Sequence, residues 1–213
     1  MKKNVAQTIA LLKSEYPDAH IELNFKGTWQ LLVAVILSAQ CTDKRVNMVT
    51  PPLFARFPGV RDFAECDLPE LEKLIYSTGF YRNKAKNIVA AAQMVVRDFG
   101  GEVPSEMVEL LRLPGVARKT ANVVMNAGFG RSEGIVVDTH VIRLTGLLGL
   151  ISGSARKSKN AVKIESELMK IVPRKEWGGF SYLMILHGRR ICIARRPKCE
   201  LCILNKLCPS ARC

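Results

Sequence analysis

Lys119 and Asp138 are the residues whose types and spacing could do chemistry together. The segment Leu113-Pro114-Gly115-Val116-Ala117-Arg118-Lys119-Thr120-Ala121 reads as a tight turn opening a helix, with the lysine in that helix's first turn. Pro114 presets φ, and Gly115 permits the reversal. A first turn of backbone N–H groups suits a phosphate. With no side chain at Gly115, such a contact reads a nucleic-acid backbone and ignores its sequence. An amine held there can be a nucleophile. Attack at a sugar C1′ displaces the base and leaves an imine. The imine acidifies the C2′ proton, so β-elimination of the 3′ phosphate can follow. Asp138 ends the apolar run Ile135-Val136-Val137 and reads as a helix N-cap. A carboxylate held that rigidly can also stabilise a positive sugar. Taken singly, each feature has a plainer reading: a helical corner, a phosphate-contacting lysine, a cap. His140 reads as structural, bonding the cap region.

The chain has seven cysteines. Cys41, Cys66 and Cys213 are isolated, and the first two read as small apolar groups. The others, Cys192, Cys199, Cys202 and Cys208, are spaced C-x6-C-x2-C-x5-C. Four thiolates so close together indicate a metal site more than disulfides. Zinc and a [4Fe–4S] cluster both accept four thiolates. Zinc sites usually show two C-x2-C-like knuckles, and this array has one close pair. Staggered ligands around a compact loop fit the cube better. The loop between the first two cysteines carries Arg195, Arg196 and Lys198. Pinning it at both ends lowers the entropic cost of aligning these cations with phosphates.

Charge supports this direction. Residues 1–110 hold 13 Lys+Arg and 13 Asp+Glu, whereas residues 111–213 hold 19 and 6. All the net charge of +13 lies in the second half, a field that attracts a polyanion. The first residues lack a signal-peptide core, and no apolar run is long enough to span a membrane. A cytoplasmic protein is expected.

The elements that must position these residues read as helices almost throughout. Val5, Ile9, Leu12 and Tyr16 share one helical face. Trp29 to Ala39 is apolar enough for a buried helix. Asp67-Leu68-Pro69-Glu70 resembles a capping box, and Gly79 closes the helix behind it. Further helices are predicted over Lys84 to Phe99, Glu106 to Arg112 (capped by Ser105) and Ala117 to Phe129. Others follow over Thr139 to Leu148 (capped by Asp138), Ala161 to Val172 and Phe180 to Arg189. Gly153 to Lys159 reads as a basic loop, and 40–47 also as loop. No alternating run supports a sheet, so the fold class is all-α, and residues 106–129 form a helix-hairpin-helix.

With these motifs assembled, the chain resembles the endonuclease III family, bifunctional DNA glycosylase/abasic-site lyases of the helix-hairpin-helix superfamily. The resemblance rests on Leu113 to Val124, on Val137-Asp138-Thr139-His140, and on Leu186-His187-Gly188-Arg189 with the cysteine array. Leu37-Ser38-Ala39-Gln40-Cys41-Thr42-Asp43 adds an early DNA-facing segment. The family implies two helical domains with DNA in the cleft: a six-helix domain over 21–131, and a cluster domain of 1–20 plus 132–213. It implies Lys119 as nucleophile, Asp138 as its partner, and a [4Fe–4S] cluster on Cys192, Cys199, Cys202 and Cys208. Gln40 would enter the gap left by a flipped nucleotide. Phe80 would be a wedge at a position usually occupied by leucine. Amides near Gly115 and Ala117 would face phosphate, and hairpin carbonyls could hold a cation. Ala117 replaces the usual glycine.

The implied function is removal of oxidised or ring-saturated pyrimidines from duplex DNA, followed by β-elimination. A monomer acting on nucleoid DNA in a bacterium is expected. The resemblance speaks against an adenine-mismatch enzyme: no glutamate occurs from Phe25 to Gln40, where those relatives carry a catalytic one, and they lack the lysine. A mismatch-specific or abasic-site-only relative, or a non-catalytic DNA-binding protein, stays open.

Overall fold

The computed structural model describes residues 2–212, so Cys213 lies outside the described residues. Its α-helices are α1 (Lys2–Glu15), α2 (Gly27–Leu37), α3 (Asp43–Arg56), α4 (Val60–Ala64), α5 (Leu68–Ile75) and α6 (Tyr81–Asp98). They continue with α7 (Met107–Leu110), α8 (Arg118–Phe129), α9 (Thr139–Leu147), α10 (Gly153–Ser158), α11 (Ala161–Met169) and α12 (Trp177–Arg190). Among the described residues there is no strand, and no helix is long and apolar enough to cross a membrane. The chain divides into two compact units, Glu22–Arg131 and Met1–Ile21 with Ser132–Cys213.

The unit of α2 to α8 is built around α2. Every residue from Leu31 to Leu37 is buried, the outcome expected of a helix apolar on all sides. Phe63 is fully buried and meets Trp29 edge-on at 5.6 Å, with Phe57 at 5.4 Å. Asp67 caps α5 by accepting from Glu70 N–H at 3.2 Å.

In the other unit α12 packs against both α1 and α9. Val5, Ile9, Leu12 and Tyr16 bury together with Phe180, Leu183, Val141 and Leu144. Each such aliphatic side chain contributes about 1.5–3 kcal/mol on leaving water.

Four local expectations are corrected. Residues 153–159 are not a loop: Ser152 accepts from Ala155 N–H at 3.2 Å and starts α10, which buries Ala155. Arg156 and Lys157 in its last turn suit the helix dipole. The helix expected over 106–112 shrinks to α7, capped by Glu106 in extended conformation rather than by Ser105. Glu106 also holds Arg131 at 2.8 Å. The stretch 40–47 is helical from Asp43, since Thr42 accepts from Arg45 N–H at 3.3 Å. That helix carries Pro51 and Pro52 in its interior. Both prolines are exposed, so solvent can take the carbonyls they leave unpaired. The short helix α4 has no counterpart among the expected elements.

Candidate active site and cluster centre

The predicted hairpin forms. Val116 N–H donates to the Leu113 carbonyl at 3.1 Å and closes the turn. Leu113 and Val116 are buried and plug it into the core, while Gly115 and Ala117 are exposed. Gly115 has φ +78, and a Cβ there would lie 2.9 Å from Asn87 Cβ. Both the backbone sign and the space therefore require glycine. Ala117 caps α8 without a side-chain acceptor, so the first-turn amides receive nothing from their own cap. Lys119 is exposed in that turn.

Two other predicted residues of this unit share a backbone feature. Gln40 (φ 53) and Phe80 (φ 49) are both left-handed, a region non-glycine residues seldom occupy. Gln40 is exposed on the turn after α2, and Phe80 caps α6 with 64% of its surface exposed. Tyr76, also exposed, packs on Tyr81 at 4.8 Å beside it. Sequence pattern gives no sign of this aromatic pair, because the two tyrosines straddle the break between helices.

In the other unit, Asp138 caps α9, accepting from Val141 N–H at 2.8 Å through Oδ1. The chain entering it is fixed. Ile135, Val136 and Val137 are buried, and the buried Ser181 hydroxyl donates to the Val136 carbonyl at 2.6 Å. His140 Nδ1 lies 3.2 Å from Arg143 Nη2. Burial holds the His140 imidazole below its ordinary range, against an opposing pull from Asp138. Gly188 lets α12 approach: a Cβ there would meet His140 Nδ1 at 2.6 Å.

Cys192, Cys199, Cys202 and Cys208, all half-buried, line one cavity of about 420 Å³. Arg143 lines it too. Its Nη2 donates to the carbonyls of Cys192 (2.8 Å) and Gly188 (3.2 Å), while its buried Nε has no acceptor among the described residues. His187 is buried between Tyr16 Oη (3.0 Å from Nδ1) and Cys202 Sγ (3.3 Å from Nε2). Burial pushes it down to about 4, so the ring is neutral. Among the described residues no three His, Cys, Asp or Glu side chains converge on a point suited to one metal ion. Four thiols spread round one cavity are the donor set of a polynuclear iron–sulfur cluster. Arg195, Arg196 and Lys198 are exposed on the intervening loop, which Lys198 N–H ties to the Ile191 carbonyl at 3.0 Å. Arg143 and Ser181 escape a sequence reading, and so does the bond from Tyr16 to His187, because a buried polar partner leaves no periodic trace.

Comparison with known proteins agrees with this geometry. Residues 33–174 match the HhH-GPD superfamily base excision DNA repair protein family, and residues 192–208 match the iron-sulfur binding domain of endonuclease III. Endonuclease III of Synechocystis is 52% identical over 99% of this chain and 94% of its own. That of Escherichia coli K12 is 38% identical over 95% and 93%. A solved non-covalent endonuclease III–DNA complex superposes with TM-score 0.92 at 42% identity, covering 99% of this chain and 96% of that one. A trapped endonuclease III–DNA covalent intermediate gives the same score and identity, covering 99% and 97%. A hairpin, an aspartate N-cap and a four-thiol cavity thus occur in one chain alongside similarity over 99% of its length, and the chain belongs to the endonuclease III family of the HhH-GPD superfamily.

Proposed function

We propose that this chain excises oxidised or ring-saturated pyrimidines of the thymine glycol type from duplex DNA and then cleaves at the abasic site. The observation that carries the reading is Lys119, exposed one turn past a glycine hairpin that leaves amides for phosphate. In this reading Lys119 Nζ attacks C1′ as the glycosidic bond breaks, and the base departs with its electron pair and a proton. The C1′–O4′ bond then breaks, O4′ takes a proton as the ring opens, and the nitrogen lone pair completes the imine. Removal of the C2′ proton then expels the 3′ phosphate, and water releases the lysine. Asp138 would stabilise the positive sugar, with Oδ1 on Val141 fixing its direction. Gln40 would fill the gap of the flipped nucleotide and Phe80 would wedge, offsetting a flipping cost of a few kcal/mol. Gly115 and Ala117 would meet phosphate through their amides, and hairpin carbonyls would take a cation.

Cys192, Cys199, Cys202 and Cys208 would hold the [4Fe–4S] cluster. When bound, the cluster supplies cross-links, not a reaction step. Arg195, Arg196 and Lys198 would then contact phosphates from the loop it pins. Residues 22–131 would form the hairpin domain, and the remainder the cluster domain. The working state would be a monomer in the bacterial cytoplasm, acting on nucleoid DNA.

Borohydride trapping tests this. Duplexes carrying thymine glycol, an abasic site or a G·T mismatch are incubated with the protein. Adducts on the first two that vanish in Lys119→Ala are expected. Trapping on abasic DNA alone would reduce the activity to a lyase. No adduct, with binding kept, would remove the imine.

A further inference from the structure

Lys84 is 5% exposed in α6, and its acceptors are main-chain carbonyls, not carboxylates. Nζ donates to the Leu37 carbonyl at 2.8 Å and to the Thr78 carbonyl at 2.9 Å. A buried ammonium is costly unless well bonded. It also sits one turn into its own helix, near the dipole's positive end. An apolar residue would fill this space at lower cost, so the charge calls for a reason.

The two carbonyls supply it. Leu37 is the last residue of α2, and Thr78 is the last of the 3-10 turn Tyr76–Thr78. Both lie at helix ends, where carbonyls lack intrahelical donors. Gln40 follows Leu37 by three residues, and Phe80 follows Thr78 by two. Only three non-glycine residues among those described are left-handed: Gln40, Phe80 and Lys159. Lys159 merely ends α10. The other two stand on the turns that Lys84 binds. Each such conformation is strained for a residue with a Cβ and needs outside support.

We infer that Lys84 is a positioning residue: one ammonium anchors both turns and fixes the spacing at which Gln40 and Phe80 enter the duplex. This rests on the reading of those two side chains as the ones that enter DNA. Lys84 touches no substrate. It acts by making two insertions one event.

The test uses the full, cluster-loaded protein in a Lys119→Gln background, which binds without reacting. The duplex carries thymine glycol beside 2-aminopurine, whose fluorescence rises on unstacking. Stopped-flow traces are taken for Lys84→Met, for Gln40→Ala with Phe80→Ala, and for all three together. Lys84→Met is expected to slow the rise about tenfold or more, since wedging is what offsets the cost of flipping. In the Gln40→Ala, Phe80→Ala background the same change should cost less than about twofold, because coupled residues are non-additive. A full and equal loss in both backgrounds would assign Lys84 to general stability and overturn the inference. If Gln40→Ala with Phe80→Ala leaves the rise unchanged, the reading of those side chains falls, and the inference with it. If that pair slows the rise and Lys84→Met does not, the inference alone falls. Should Lys84→Met not fold, Lys84→Arg carries the same cycle: it keeps the charge but displaces the donors, and its loss should again vanish in the double-alanine background.

Discussion

The unit of residues 22–131 and the unit that carries the four-cysteine array hold their candidate residues in opposite ways. In the first, Gln40, Phe80, Gly115 and Lys119 stand on turns shaped by the chain itself. Buried Leu113 and Val116 plug the hairpin, and Lys84 binds the other two turns. In the second, the four thiols line one cavity, and Arg143 Nη2 ties the Cys192 and Gly188 carbonyls beside it. A turn that presents amides to phosphate needs only backbone and apolar anchors. A loop that presents three cations needs its ends held, and in the proposed reading the holding group is the cluster. The two units should therefore respond differently to the same insult.

The largest effect is expected at Asp138, where chemistry and scaffolding can be separated. Asparagine is as good an N-cap as aspartate, so Asp138→Asn should melt within a few degrees of the parent. Loss of a preorganised charge at a developing cation should slow base excision by about 10²–10³-fold. Single-turnover kinetics on thymine glycol duplex, beside a melting curve, checks both. An equal fall in rate and stability would make Asp138 a cap alone.

Next comes the cluster. Cys199→Ser, or chelation of the iron, should speed hydrogen exchange across 192–208 and weaken duplex binding about tenfold or more at low salt. Exchange in α2, α6 and α8 should not change. Loss of protection in both units would erase the contrast between them.

Much of this is legible in the sequence because it is local. Pro114-Gly115, the cap at Asp138 and the cysteine spacing each act over a few residues, and the apolar face of α1 repeats with the helical period. What escapes is nonlocal or breaks a local rule. Pro51 and Pro52 argue against a helix, yet α3 continues through them because both face solvent. The basic run after Gly153 reads as a loop because Ala155 alone anchors α10 to the core. Lys84 reaches carbonyls 47 and 6 residues away, and no spacing rule announces a lysine that bonds two helix ends.

Two glycines sharpen the contrast at a smaller scale. Gly188→Ala puts a methyl 2.6 Å from His140 Nδ1 and 3.0 Å from Arg143 Nη2. Overpacking should cost about 1–3 kcal/mol, and each kcal/mol lowers the melting temperature by about 2–4 °C in a chain of this size. Gly115→Ala adds a left-handed penalty of about 1–2 kcal/mol at an exposed turn. The methyl also meets Asn87 Cβ at 2.9 Å, so its stability loss should be at least that of Gly188→Ala, and it should in addition weaken duplex binding, because the strained turn must shift the amides proposed to meet phosphate. Calorimetry and a binding isotherm on each variant would reverse the assignment if Gly188→Ala proved the one that spares stability and loses DNA.

The smallest effect tests the loop itself. Replacing Arg195, Arg196 and Lys198 with glutamine removes charge from a segment whose backbone is tied at Lys198 and Ile191. For every cation that neutralises a phosphate, its removal should lower the slope of log binding constant against log salt by about one, with little change in sequence preference. If the cluster is what aligns these cations, the cluster-free protein should show the same reduced slope. The glutamine changes should then add nothing further once the cluster is gone. A cluster-free protein that keeps the parent slope would mean the loop finds its phosphates unaided, and the second unit would then be as self-sufficient as the first.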